Sequence, residues 1–128
     1  MTPLRRPLVL LASTAVIASA VAFPSAAQAK SPRVIETASC GSIATKLKLS
    51  AEDHGLQVEY ELDQNRNDQR WRLRLVHNGT VAATATRTTR APSGSFGWRV
   101  VTADGSGTDT VTVVARRGST TCRITARL

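Results

Sequence analysis

From Ser42 onward, hydrophobic and polar residues alternate one by one along nearly the whole chain. No stretch of about eleven residues keeps an apolar stripe at i, i+3, i+4, i+7. A period of two sends successive side chains to opposite faces of an extended backbone, so the pattern predicts strands with one dry face and one wet face. The first runs over about Ser42–Ser50, with Ile43, Thr45, Leu47 and Leu49 inward and Lys46 and Lys48 outward. The second, Leu56–Leu62, turns Val58 and Tyr60 inward and Gln57, Glu59 and Glu61 outward; in the third, Trp71, Leu73 and Leu75 face in and Arg70, Arg72 and Arg74 face out. Asn78-Gly79 tolerates the positive φ that a type I′ turn requires at both central positions, so Thr80–Thr88 is expected to return antiparallel to the third strand. If His77 faces Thr80, then Arg74 faces Ala83, Arg72 faces Ala85 and Arg70 faces Arg87. Phe96, Trp98 and Val100 mark a fifth strand, Thr108–Arg116 a sixth and Thr120–Leu128 a seventh. About seven strands at a spacing of about twelve residues predict one antiparallel all-β sandwich over residues 40–128.

The residues before this pattern read differently. Arg5 and Arg6 precede an almost wholly apolar run from Leu8 to Phe23, and Ala27-Gln28-Ala29 has the small-x-small form of a signal-peptidase site. Residues 1–29 are therefore expected to be a cleavable leader, with Lys30 the first residue of a secreted, extracellular chain. A run of sixteen residues spans roughly 24 Å as a helix against a hydrocarbon core of about 30 Å, which argues against a permanent membrane span. Arg5-Arg6 followed by Leu8-Val9 fits twin-arginine export as well as general secretion. Residues 30–39 carry Pro32 and no alternation, and are read as a flexible lead-in.

Of 128 residues, 17 are Lys or Arg and 9 Asp or Glu. Removing Arg5 and Arg6 with the leader leaves 15 against 9, a net charge of +6 with both histidines neutral. Two cysteines in a chain sent to an oxidising compartment are expected to pair, so Cys40 is joined to Cys122. Closing a loop of about 83 residues removes roughly 4.5 kcal/mol of denatured-state entropy in the chain-entropy model.

The leader ending Ala-Gln-Ala, a cysteine near the mature start, Asp109-Thr110-Val111-Thr112-Val113 in the penultimate strand and a cysteine in the last resemble small exported actinobacterial-type proteins with an immunoglobulin-like fold. The resemblance covers the whole chain after the leader and implies a fold and a compartment, but no activity. Trp71 is similar to the core tryptophan of strand C in such domains. The cysteines depart from the antibody pattern, joining the two terminal regions instead of strands B and F, so an antibody-type sheet order is not implied.

Candidate chemistry is sparse. His54 and His77 are the only side chains with an ordinary pKa near neutrality, and both fall in polar turn regions, where they are read as solvated. The chain has no nucleophile elbow, zinc-binding His-Glu-x-x-His or phosphate-binding glycine loop, and both cysteines are committed to the disulfide. Catalytic residues, cofactors and metals are therefore not expected. Glu59 and Glu61 lie two apart on one face, roughly 6.5 to 7 Å between Cβ atoms, but on an open wet face they are better read as cross-strand partners of Lys or Arg. Asp63, Asn65 and Asn67 copy the first three ligand positions of a calcium loop. Asp68 stands where that loop needs glycine and Arg74 where it needs glutamate, so these side chains are read as bonding to their own backbone. Asn78-Gly79-Thr80 has the form of a glycosylation acceptor and is read as a turn.

The feature that selects a class of partner is the ladder Arg70, Arg72, Arg74 with Arg87 expected beside Arg70, able to hold phosphates or carboxylates through forked guanidinium groups. Two plainer readings compete with it: charge that keeps a wet sheet face from aggregating, and ion pairs to Glu59 and Glu61. Nucleic acid is not the expected partner, because Tyr60, Trp71, Phe96 and Trp98 all fall in the inward phase and leave no stacking surface. Two function classes remain. One is an exported noncatalytic binding domain for an anionic cell-envelope polymer or an acidic protein. The other is an exported protease inhibitor presenting the Thr88–Ser95 loop, which lacks a flanking disulfide to stiffen it.

Overall fold

The computed structural model describes residues 19–23 and 32–128; the cleavage site expected after Ala29, and the leader apart from residues 19–23, lie outside the described residues. Eight strands and no helix make up the described chain: β1 (Arg33–Cys40), β2 (Ile43–Glu52), β3 (Gly55–Asp63), β4 (Arg70–His77), β5 (Thr80–Thr88), β6 (Ser95–Thr102), β7 (Thr110–Arg117) and β8 (Thr120–Arg127). No helix among the described residues is long and apolar enough to cross a membrane. All pairings are antiparallel, in two four-stranded sheets of order β1-β2-β3-β6 and β5-β4-β7-β8.

The chain changes sheet after β3, β5 and β6. Strands that follow one another in sequence therefore lie in different sheets at three places, which makes the two sheets the halves of one sandwich. The inward phases read from the alternation meet between the sheets: Leu47, Leu49, Tyr60, Leu62, Trp71 and Leu75 are at most 1% exposed. Burying side chains of this size supplies most of the driving force for folding, at about 25 cal/mol per Å² of apolar surface. Trp71 is wholly buried, and its Nε1 donates to Gln64 Oε1 at 3.1 Å, so its one polar atom is satisfied at the end of the core.

Residues 33–39, expected as flexible lead-in, instead form most of β1, paired along its whole length with β2. The alternation is scrambled there for a physical reason. On this edge strand Glu36 pairs with Leu47 and so sits in the inward phase, while Ile35 lies in the outward phase and is 53% exposed. An inward-phase charge on an edge discourages pairing with another chain, at the cost of erasing the period-two signal. Cys40, the last residue of β1, is bonded to Cys122 of β8 with Cα atoms 5.6 Å apart, tying an edge of one sheet to an edge of the other. A disulfide-closed all-β domain fits an oxidising compartment.

Candidate anion-binding face

The candidate face is built on the β4–β5 hairpin. Asn78 (φ 50°) and Gly79 (φ 85°) occupy the left-handed region, as the type I′ turn requires, and His77 pairs with Thr80. Three residues further on the register slips: Val76 pairs with Val81 but Leu75 pairs with Ala83, so Ala82 bulges out of the ladder. Because side chains alternate with period two, one extra residue turns every later side chain of β5 to the other face. Ala83 and Ala85 thereby pack inward against the core. The outward partners of Arg74, Arg72 and Arg70 become Thr84, Thr86 and Thr88.

This corrects the expected site. Arg87 is not beside Arg70; it pairs with Trp71, in the inward phase of an exposed edge strand, where its Nη1 donates to the Thr86 carbonyl at 3.0 Å. It takes on β5 the edge-guarding part that Glu36 takes on β1. Arg70, Arg72 and Arg74 stay together on the outer face, all exposed.

On its other side β4 pairs with β7, which adds charge that no single strand pattern shows. Arg72 stands opposite Arg116, and Arg116 opposite Thr121, so one row across the sheet reads Thr86, Arg72, Arg116, Thr121. The next row reads Thr84, Arg74, Val114, Arg123. Val114, between Arg74 and Arg123 in that row, points outward yet is only 6% exposed. A shallow hollow of about 410 Å³ lies here, lined by Arg72, Arg74, Thr84, Thr86, Val114 and Arg116 among others.

Charge is segregated by sheet. The strands β4, β5, β7 and β8 hold eight arginines and no Asp or Glu. The strands β1, β2, β3 and β6 hold four basic residues against five acidic ones. On that second sheet Lys46 pairs with Glu61 and Lys48 with Glu59, each at 2.8 Å, and Arg99 also pairs with Glu59. The hydrogen bond from Lys48, assisted by Arg99, holds the Glu59 carboxyl below its ordinary value against a smaller opposing effect of burial. Glu59 and Glu61 thus have the cross-strand cationic partners expected of them, but on the opposite outer face from the ladder. Among the described residues no carboxylate lies within ion-pairing distance of Arg70, Arg72, Arg74, Arg116 or Arg123.

His54 is exposed, as read, but His77 is not a solvated turn residue. Its Nε2 lies 2.7 Å from Asp109 Oδ1, with the two side chains 11% and 4% exposed. Asn78 Nδ2 (3.4 Å) and the Gly105 N–H (3.2 Å) donate to the same oxygen, and Asn78 Oδ1 accepts from the Thr110 N–H at 2.8 Å. This cluster locks the β4–β5 turn to the loop before β7. Burial raises the Asp109 carboxyl, but the bonds from His77, Asp104 and Gly105 outweigh it and leave it below the ordinary value; the exposed Asp104 is raised, chiefly by its hydrogen bond to Asp109. The sequence offered no cue to this cluster, since its members are brought together from residues 77 to 109 by the topology.

The loops beside the ladder are clamped through backbone. Asp63 Oδ1 accepts the Asn65 N–H at 3.0 Å, so the calcium-like spacing serves the turn itself. Thr89 is wholly buried; its hydroxyl donates to the Arg66 carbonyl at 2.6 Å and accepts from the Gln69 N–H at 2.9 Å. Gly94, at φ 65°, lies against the backbone of Arg66 so closely that a Cβ there would collide with it. The Thr88–Ser95 loop is therefore rigid without a disulfide, but Arg90 and Ser95 are bonded to each other across it, which folds the segment into a closed turn. A second hollow of about 780 Å³ crosses the outer face of β1-β2-β3-β6 over small residues such as Ser39, Ala44 and Ser95. Its one lysine, Lys46, is already paired with Glu61.

No protein-family model, curated protein or solved structure matches the chain.

Proposed function

We propose that the chain is an exported, noncatalytic binding domain of the immunoglobulin-like kind that engages an anionic cell-envelope polymer, or an acidic protein, through the outer face of the β5-β4-β7-β8 sheet. The observation that carries this reading is the row Arg72–Arg116, two like charges in direct register on a sheet without any acidic residue. Like charges placed opposite each other destabilise a sheet, so a wet face needing only solubility gains nothing from setting them there while the acids are gathered on the other sheet. An anion bound between them removes the repulsion and takes up several guanidinium forks at once.

The leader and the disulfide support export. The buried His77–Asp109 pair supports a structural role for the one histidine with a carboxylate partner, since its hydrogen bonds go to Asp109 and Asn78 and to no nucleophile. The closed Thr88–Ser95 turn speaks against the inhibitor alternative, because a protease cleft recognises extended chain.

Cosedimentation with isolated envelope material from the producing cells tests the proposal. The parent protein is expected in the pellet at low salt and in the supernatant at high salt. A folded variant carrying Gln at 72, 74, 116 and 123 is expected to stay in the supernatant throughout; its pelleting like the parent would refute the proposal.

A further inference from the structure

Resting on that reading of the face, we infer that its ligand is a linear phosphodiester polymer with a three-carbon spacer between phosphates, lying along the β4–β5 pair. The bulge at Ala82 gives this part of the surface a repeat: Arg74 with Thr84, Arg72 with Thr86 and Arg70 with Thr88 are three register-matched guanidinium–hydroxyl pairs. Successive pairs are two residues apart and hence about 6.7 Å along the strand. An extended polypeptide advances about 3.3–3.6 Å for every three backbone bonds, so a chain with six bonds between charged centres advances about 7 Å. Phosphorus atoms joined through two ester oxygens and three carbons are six bonds apart.

The chemistry of each pair matches the same ligand. A phosphodiester carries two free oxygens and one negative charge. A guanidinium fork supplies the charge and two N–H donors, and the neighbouring hydroxyl adds an O–H donor beside them. A carboxylate holds its two oxygens and their lone pairs in the plane of the fork, whereas a tetrahedral phosphodiester also presents lone pairs out of that plane, toward the threonine row. These hydroxyls differ from those further along the sheet, where Thr112 and Thr125 lie 2.8 Å apart and bond to each other. The middle pair is reinforced by Arg116 and Thr121, making it the strongest anchor. Nucleic acid shares the six-bond spacing, but Tyr60, Trp71, Phe96 and Trp98 are all buried and give its bases nothing to stack on.

The test measures binding of oligomers of equal charge number: glycerol phosphate (three-carbon spacer), ribitol phosphate (five-carbon spacer), oligothymidylate and polyglutamate. The unmodified protein is expected to bind glycerol phosphate tightest. Thr84→Val with Thr86→Val is expected to weaken that binding by about a hundredfold or more, the size of two hydrogen bonds to charged groups, and to leave polyglutamate binding unchanged. Equal affinity for the two spacers, tighter binding of oligothymidylate, or indifference to the threonine substitutions overturns the inference. If Arg72→Gln with Arg74→Gln still abolishes polyanion binding in that case, the broader reading of the face stands; if that variant binds every oligomer like the parent, the broader reading falls too. Should the threonine variant fail to fold, the spacer comparison on the unmodified protein decides alone.

Discussion

Arg72 and Arg116 face each other across the β4–β7 pair, with Thr86 and Thr121 completing the row on either side. Opposite charges at such a position stabilise a sheet by roughly 0.2–1 kcal/mol and like charges destabilise it. Their guanidinium groups point to water, where screening reduces the repulsion without reversing it. This is a stability cost placed where the binding reading needs charge, the usual form of a trade between stability and function.

Replacing Arg116 by Gln is accordingly expected to leave stability unchanged or to raise it by up to about 0.5 kcal/mol, while weakening polyanion binding. Urea unfolding and a binding isotherm on the same preparation check both halves. A loss of more than about 1 kcal/mol would show that Arg116 holds the sheet together instead.

The core was legible in the sequence because period-two alternation is a direct image of which face is dry: Leu47, Tyr60, Trp71 and Leu75 were all placed inward and are all buried. Two things were not. An edge strand packs weakly and admits inward-phase charge, so β1, with Glu36 in that phase, carried no readable period. The bulge at Ala82 has no residue signature, since alanine fits either face, yet it reversed β5 and moved Arg87 off the ladder. Arg116 and Arg123 fall within the sixth and seventh strands read from the sequence, but their adjacency to Arg72 and Arg74 depends on β4 pairing with β7. That pairing is decided by the sheet order and not by any local pattern.

The clamp on the 63–69 loop rests on one buried hydroxyl and one glycine. Thr89→Val removes a donor to Arg66 and an acceptor for Gln69 and is expected to cost about 1–3 kcal/mol. Gly94→Ala adds a backbone collision to an unfavourable φ and is expected to cost at least as much. Denaturant midpoints for the two variants check this; parental midpoints would mean that the loop is not clamped as described.

Acid sensitivity is expected to trace to Asp109. Its carboxyl is held below the ordinary value in the folded protein, so the folded state binds fewer protons there than the unfolded state. The stability it supplies is complete above about pH 4 and is lost as pH falls through the lowered value. The exposed Asp104 shifts the other way, so its contribution is present below the ordinary carboxylate value and fades as pH rises through the raised one. Asp109→Asn, which weakens the bonds to His77 and Gly105, is expected to lower the melting temperature at pH 7 and to flatten its decline toward pH 3. A variant whose profile parallels that of the parent contradicts the assignment.

Reducing Cys40–Cys122 frees the edges of the two sheets from each other. A cost of about 2–5 kcal/mol is expected, seen as a fall of several degrees or more in melting temperature. An unchanged melt after complete reduction would mean that β1 is held to β8 by packing alone.

The salt dependence of binding tests the central claim most directly. Affinity for a soluble phosphodiester polymer is measured from about 50 to 200 mM salt, where each neutralised phosphate contributes roughly −0.7 to −0.9 to the slope of log K against log salt. With three phosphates held by Arg70, by Arg72 together with Arg116, and by Arg74, a slope of roughly −2 to −3 is expected. The folded variant with Gln at 72, 74, 116 and 123 is expected to bind weakly with a slope of about −1 or shallower. If that variant keeps the parent's affinity and slope, the arginine face is not where the polymer binds.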